Sequence, residues 1–328
     1  MNGSYIALID VGHGNSTVVR AEQFTLLIDS GPGTAVLSFL TEENIAVVDL
    51  ILVSHADADH IAGLLAVVTN RPESLRKVRV NSDGIKKSKY WDDLLYELNQ
   101  LEVSGAIDFD VALTRASNGS FVYGFVDLEV LGPSTYLAGR GPGSTDRSGK
   151  TITSNSVSAV IRVVVRGNSC VLLPGDLDHV GLAALIESGV DASAPILVFP
   201  HHGGSPGEGD AAVFATELLA LTQPQNVIFS NGRGKYDLPD PRIVTVIRQS
   251  GVQMRIVCTQ LAVACANKLP NPAAQTHLAR TYSKGKSANR CCGGTIIIDL
   301  DSDEFTMTPN RTDHQTFIQL HAPTAMCM

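Results

Sequence analysis

Four side chains able to bind a divalent cation stand within six positions in His55-Ala56-Asp57-Ala58-Asp59-His60. Imidazole and carboxylate are the donors that hydrolytic zinc, manganese and magnesium centres use, and a cation so held lowers the pKa of a water molecule. His55 and Asp57 alternate in phase, whereas Asp59 and His60 are adjacent and point apart, which suits two neighbouring ions better than one. A helix beginning near His60 explains Asp59 alone as its cap. It does not explain His-x-Asp-x-Asp-His placed directly after the apolar run 47–53, which reads as a buried strand.

Other segments bring further donors to the ends of apolar runs. Strands expected over 5–9, 17–21 and 24–28 surround the glycine-punctuated turn 10–16 and end in Asp29-Ser30-Gly31, so Asp10 and Asp29 are candidates to orient a ligand histidine from behind. Ordinary turn chemistry accounts for either of them equally well. Asn155 precedes a strand over 159–165, and Asp176 follows one over 170–173. His201 and His202 close the run 196–199, where a pair supplies one metal ligand and one group for proton transfer or phosphate contact. Nothing in the sequence chooses between them. Candidate substrate contacts are Ser205, Lys235 in the loop 231–236, and Lys86, Lys87 and Lys89 in a stretch, 71–89, that carries seven cations against Glu73 and Asp83. A solvated basic face is the plain alternative. Trp91 beside it falls at helical spacing with Leu94, Leu95 and Leu98, as a core helix requires.

The elements that must position these groups alternate along the chain. Helices are expected over 36–41, 61–68, 180–188, 213–221 and 241–250, a single strand over 121–131, and a closing hairpin over 294–300 and 304–308. The segment 139–154, rich in Gly, Ser and Thr, reads as a loop able to lie over a site. With 328 residues and 44% hydrophobic side chains, one large layered domain over 1–310 is expected, with an insertion at about 266–290 and a tail over 311–328. The net charge of -8 argues against a generally basic nucleic-acid binder. No basic and apolar leader opens the chain and no apolar run nears the roughly 20 residues that cross a bilayer, so a soluble, cytoplasmic protein is expected. Six cysteines fit a reducing compartment. Cys258, Cys265, Cys291 and Cys292 bracket the insertion and could converge on a structural zinc, although no Cys-x-x-Cys spacing supports it.

Taken in order, these motifs resemble the metallo-β-lactamase fold, and within it the hydrolase domain of ComEC-type DNA-uptake (competence) proteins and their free-standing relatives. Asp10-Val11-Gly12-His13-Gly14-Asn15-Ser16 is similar to their opening Asp-Val-Gly-Gln-Gly-Asp-Ser. Leu27-Ile28-Asp29-Ser30-Gly31, the central motif, Asn155 with Ser158, Pro174-Gly175-Asp176 and His201-His202-Gly203 follow in the same order. The resemblance implies an α/β (α+β) fold, an αββα sandwich of two mixed β-sheets flanked by helices with a metal site along one edge. It implies two divalent ions, Zn2+ or Mn2+ or else Mg2+, with His55 and Asp57 on one, Asp59 and His60 on the other, Asp176 bridging, and His201 or His202 completing the set. Asp57, where most members carry His, tilts the first position towards manganese or magnesium. Three departures from the resemblance stand out: His13 and Asn15 replace Gln and Asp, Leu238 precedes Pro239 where many relatives carry His-Pro, and no membrane channel of the competence kind is expected from these 328 residues.

The activity so implied is that of a metal-dependent phosphodiesterase, foremost a nuclease acting on DNA, with Asp59, His201 and His202 at the reacting atoms. One alternative is hydrolysis of a small ester, lactone or cyclic nucleotide at the same centre, since fold does not determine substrate. Another is a metal-binding, non-catalytic subunit with a protein partner in a larger, defence-type assembly.

Overall fold

The computed structural model describes residues 3–302 and 304–327. Three antiparallel strands come first, β1 (Tyr5–Leu8), β2 (Thr17–Ala21) and β3 (Phe24–Ile28), buried almost throughout because both of their faces meet apolar layers. Helices and strands then alternate: α1 (Ala35–Glu42), β4 (Leu50–Leu52), α2 (Ala58–Asn70), β5 (Lys77–Arg79), α3 (Lys89–Val103) and β6 (Asp108–Asp110). β3 to β6 pair in parallel, the arrangement that crossover helices permit. After α4 (Arg115–Asn118) come β7 (Ser120–Tyr123) and β8 (Val126–Gly132). The single strand expected over 121–131 is thus a hairpin, because Gly124 takes the left-handed φ of +60° that reverses the chain.

The second half repeats the pattern with α5 (Thr135–Arg140), β9 (Val160–Val165), β10 (Asn168–Leu173), α6 (His179–Glu187), β11 (Ile196–Val198), α7 (Ala211–Thr222), β12 (Asn226–Phe229), α8 (Pro241–Gln249) and β13 (Arg255–Cys258). β14 (Ile296–Asp299) and β15 (Met307–Thr308) return to the first sheet beside β1, and α9 (Arg311–His321) ends the chain. Among the described residues the strands form two mixed sheets, ordered β15-β14-β1-β2-β3-β4-β5-β6 and β13-β12-β11-β10-β9-β8-β7.

Alternation along the strands builds three layers of core. Ile6 and Leu8 of β1 face Leu128, Ile161 and Val171 of the other sheet. Tyr5 and Ala7 face the helices α1 to α3, and Trp91 joins Leu94 and Leu98 in that outer layer. The opposite outer layer packs α6, α7 and α8 on the second sheet. This is an αββα sandwich.

Two strands escape a reading of the sequence. β6 carries Asp at both ends, and β13 opens on Arg255, whose buried guanidinium donates to the Pro309 carbonyl at 2.7 Å. The segment after 310, read as a tail, is helical: His314, Phe317 and Ile318 share one buried face of α9, and Phe317 and Ile318 seal the layer over α8.

Candidate metal centre

Five chain segments meet at one edge of the sandwich, most of them as the loop that follows a strand. Beyond β4 the chain runs through Ser54 to His55, which is buried. Asp57 takes extended φ/ψ as the N-cap of α2, which puts Asp59 and His60 in the first helical turn. A carboxylate there lies favourably in the helix dipole. β3 delivers Asp29 with φ +57°. β10 delivers Asp176 through Gly175, where a Cβ would lie 2.3 Å from Ser158 Oγ and 2.7 Å from Ser54 Cβ, so only glycine lets the two loops touch. β11 delivers His201 and His202, both left-handed with φ +52° and +56°, a strained turn of the kind found where a site demands it. From the loop after β1, His13 arrives between Gly12 and Gly14.

The donors converge. His55 Nε2 lies 3.9 Å from both Asp57 Oδ2 and Asp176 Oδ2, and His201 Nδ1 is 3.7 Å from the same Asp176 oxygen. On the other side, His60 Nε2 and His202 Nε2 lie 3.2 and 3.8 Å from Asp176 Oδ1. His202 Nε2 is also 3.5 Å from Asp59 Oδ2, and His13 Nε2 is 3.1 Å from that oxygen. Among the described residues two sets have their donor atoms within 4.8 Å of one another: His55, His60 and Asp176, and His13, Asp59 and His202. The expected division, His55 with Asp57 and Asp59 with His60, is therefore not the tightest grouping. The His55 and His60 rings are 4.1 Å apart, and Asp57 is taken by the Lys86 ammonium.

Hydrogen bonds behind the rings determine their tautomers. Ser54 Oγ donates to Asp29 Oδ2 at 2.7 Å and stands 3.0 Å from His55 Nδ1, from which it accepts. His60 Nδ1 donates to Asp29 Oδ2 at 2.7 Å. Each ring thus turns its Nε2 towards Asp176. Burial, with help from His60, pushes the His55 imidazole down to about 3. Burial also lowers His13 and His201. For His60 the lowering by burial is outweighed by Asp176 and Asp29, which hold it charged. Burial works to raise the Asp59 and Asp176 carboxyls, but the surrounding histidines, His13 and His202 for Asp59 and His60 foremost for Asp176, keep both ionised.

These residues fit divalent cations. His55 Nε2, His60 Nε2, His201 Nε2 and both nitrogens of His202 are buried without a hydrogen-bond partner, a costly arrangement that a cation among them resolves. A cation at His60 Nε2 would take the place of the proton that Asp176 favours there, while Asp29 keeps the one on Nδ1.

Other expected residues lie further out. Asp10 touches no ligand histidine; its carboxylate accepts from Gly12 N, Gln260 Nε2, Ser283 Oγ and Gly285 N at 2.8 to 3.0 Å. Asn155 starts a helical turn, and it is Ser158, not Asn155, that meets Asp176, its Oγ accepting from Asp176 N at 3.1 Å. Ser205 is exposed and donates to the Gly207 carbonyl. Lys235 lies over the Tyr236 ring, which packs 4.7 Å from His13. Lys87 and Lys89 are exposed, while Arg79 and Lys77 of the basic stretch are engaged by Asp108. The four cysteines form no ligand set among the described residues, because adjacent Cys291 and Cys292 face opposite ways, towards Asp10 and towards His314 Nε2 at 3.2 Å. Sequence reasoning missed Ser54 and His13 as parts of the site. The signal for His13 was present as an imidazole between two glycines.

Imidazoles and carboxylates gathered at the loop edge of an αββα sandwich define a metallo-hydrolase. Residues 9–205 match the Metallo-beta-lactamase superfamily, and the chain belongs to it. The chain is similar to competence protein ComA of Neisseria gonorrhoeae, 25% identical over 259 residues that cover 77% of this chain. It is also similar to ComE operon protein 3 of Bacillus subtilis (strain 168), 23% identical over 274 residues that cover 76% of this chain. It spans 31% of the length of each of these relatives. Among solved structures, the metallo-beta-lactamase fold protein YhfI from Bacillus subtilis aligns with a TM-score of 0.47 at 12% identity, over 78% of this chain and 96% of that one. No helix among the described residues is long and apolar enough to cross a membrane.

Proposed function

We propose that the chain is a metal-dependent phosphodiesterase, foremost a nuclease acting on DNA. The observation that supports this best is that the two oxygens of Asp176 face different imidazoles, Oδ2 towards His55 and His201 and Oδ1 towards His60 and His202. A carboxylate so flanked is suited to bridge two ions. In this reading His55, Asp57 and Asp176 hold one ion, and Asp59, His60, Asp176 and His202 hold the second. Oxygen-rich donors favour manganese or magnesium at the first position. Two divalent cations supply Lewis acidity towards phosphate oxygens and lower the pKa of a water molecule. Three carboxylates, Asp57, Asp59 and Asp176, together with one hydroxide would cancel the charge of two divalent ions, so a phosphodiester anion is not repelled.

The protein's own side chains do the rest. Asp29 and Ser54 hold the His60 and His55 rings in the tautomers described. Lys86 answers the charge of Asp57, and a cation held by that carboxylate would free the ammonium to meet a phosphate. His201, which burial keeps neutral, is the group to orient the leaving oxygen, and Lys87 and Lys89 face the phosphate backbone. The competence relatives suit a nucleic-acid substrate.

The test pairs metal analysis of the purified protein with turnover of linear DNA in manganese, set beside small phosphodiesters and lactones. The reading expects DNA cleavage that Asp59→Ala abolishes. Turnover of lactones but not DNA would overturn the substrate assignment, and unchanged activity of Asp59→Ala would overturn the metal centre itself. Lys87→Glu with Lys89→Glu should lower DNA affinity and flatten its salt dependence by about 2 in log–log slope if both meet phosphates.

A further inference from the structure

We propose that His13 is a ligand of the second metal ion, making that position a nitrogen-rich site of His13, His60 and His202 with Asp59 and Asp176 that prefers zinc. The inference rests on the metal centre proposed above and extends it to a residue outside the expected ligand set.

Three observations carry it. First, the geometry is closed: His13 Nε2 and His202 Nε2 both approach the same oxygen of Asp59, at 3.1 and 3.5 Å, and their rings are 4.4 Å apart. The imidazoles face that oxygen as N–H donors; with those protons released, the three donor atoms lie close enough together to hold a single cation. Second, His13 is held there from several directions. Asn15 N donates to the Asp59 carbonyl at 3.2 Å and Ser230 Oγ to the Gly14 carbonyl at 2.6 Å. A Cβ on Gly14 would lie 2.5 Å from the Asp59 carbonyl oxygen, and one on Gly232 2.4 Å from His13 N, so glycine at both positions lets the loop seat against the site. Third, the insertion supplies the clamp. Ser283 Oγ and Gly285 N donate to Asp10 at 2.8 Å each, and Lys284 N donates to the Asp10 carbonyl at 3.0 Å. The segment 266–290, to which the sequence assigns no role, fixes the turn that presents His13.

The loop that carries Tyr236 packs against the same site, with the Tyr236 ring on the His13 ring. The consequence is asymmetry. The first position offers Asp57, Asp176 and one imidazole, and the second gains an imidazole more, so the two differ in softness and take different ions from a mixture.

The experiment compares metal-stripped wild type with His13→Phe, which keeps the ring packing and removes both nitrogens, and His13→Gln, which keeps a polar side chain and removes the imidazole. Zinc and manganese affinities are measured by chelator competition, and cobalt(II) titration is followed by its visible bands. Circular dichroism establishes which variants are folded. The expected result is two equivalents bound by wild type, with one equivalent weakened at least tenfold for zinc in both variants, the other unchanged, and altered cobalt bands. Should His13→Phe fail to fold, His13→Gln carries the test. A folded variant that binds both equivalents with wild-type affinity and spectrum overturns the role of His13 and leaves the metal centre standing. Wild type that binds no cobalt overturns both.

Discussion

Replacing Asp29 by Asn isolates the one carboxylate that orients the ligand ring of His60. Asp29 Oδ1 accepts from Ser54 N, and Oδ2 accepts from Ser54 Oγ and His60 Nδ1, each at 2.7 Å. Asparagine tolerates the left-handed backbone, so φ +57° at this position adds no new strain. Its amide cannot satisfy all three donors. Whichever way it turns, an NH2 group meets either Ser54 N–H or the His60 ring, and if His60 flips its tautomer, Nε2 carries a proton where a metal must bind. One charge-assisted hydrogen bond is lost, worth about 2 kcal/mol. With an unfolding entropy near 2.1 cal/mol/K per residue, that lowers the Tm of a chain this long by about 3 °C. Metal affinity should fall by about 10- to 100-fold, the usual effect of removing such a support. Scanning calorimetry of the metal-free protein and chelator competition read the two effects. Wild-type affinity together with wild-type Tm would refute the orienting role of Asp29.

Two further outcomes follow from the packing. Burial, with Arg255 and His277, pushes His314 from its usual 6.5 down to about 3. The unfolded chain therefore takes up a proton that the folded chain refuses, so stability present above pH 6.5 is lost as pH falls towards 3, by up to about 1.4 kcal/mol per pH unit. His314→Gln should flatten the unfolding profile over that window, and parallel profiles for the two proteins would sink the assignment. In α2, a Cβ on Gly63 would lie 2.2 Å from the Gly31 carbonyl oxygen and 2.7 Å from Ser30 Oγ. Gly63→Ala gains about 1 kcal/mol of helix propensity, yet it must push away the loop that carries Asp29, at about 1–3 kcal/mol. Net destabilisation with weaker metal binding is expected; a raised Tm would show that the loop yields freely.

The donors themselves were legible in the chain, because each follows an apolar run whose length and branching mark a strand, and a strand end is a rigid place for a ligand. Short apolar runs set between glycine-rich turns likewise foretold β1 to β3, and the helical spacing of Trp91 with Leu94 and Leu98 foretold its burial in α3. Local pattern reached no further than one element. It could not say that Asp57 would cap α2 and meet Lys86, that Cys291 and Cys292 would part company, or that 121–131 would fold back at Gly124. Nor could it bring His13 to Asp59 and His202, since that meeting depends on β1 and β11 lying in different sheets whose loops share one edge. Side-chain type is written residue by residue, whereas the partner of a donor is chosen by strand order and by the close backbone approaches that Gly14, Gly175 and Gly232 allow.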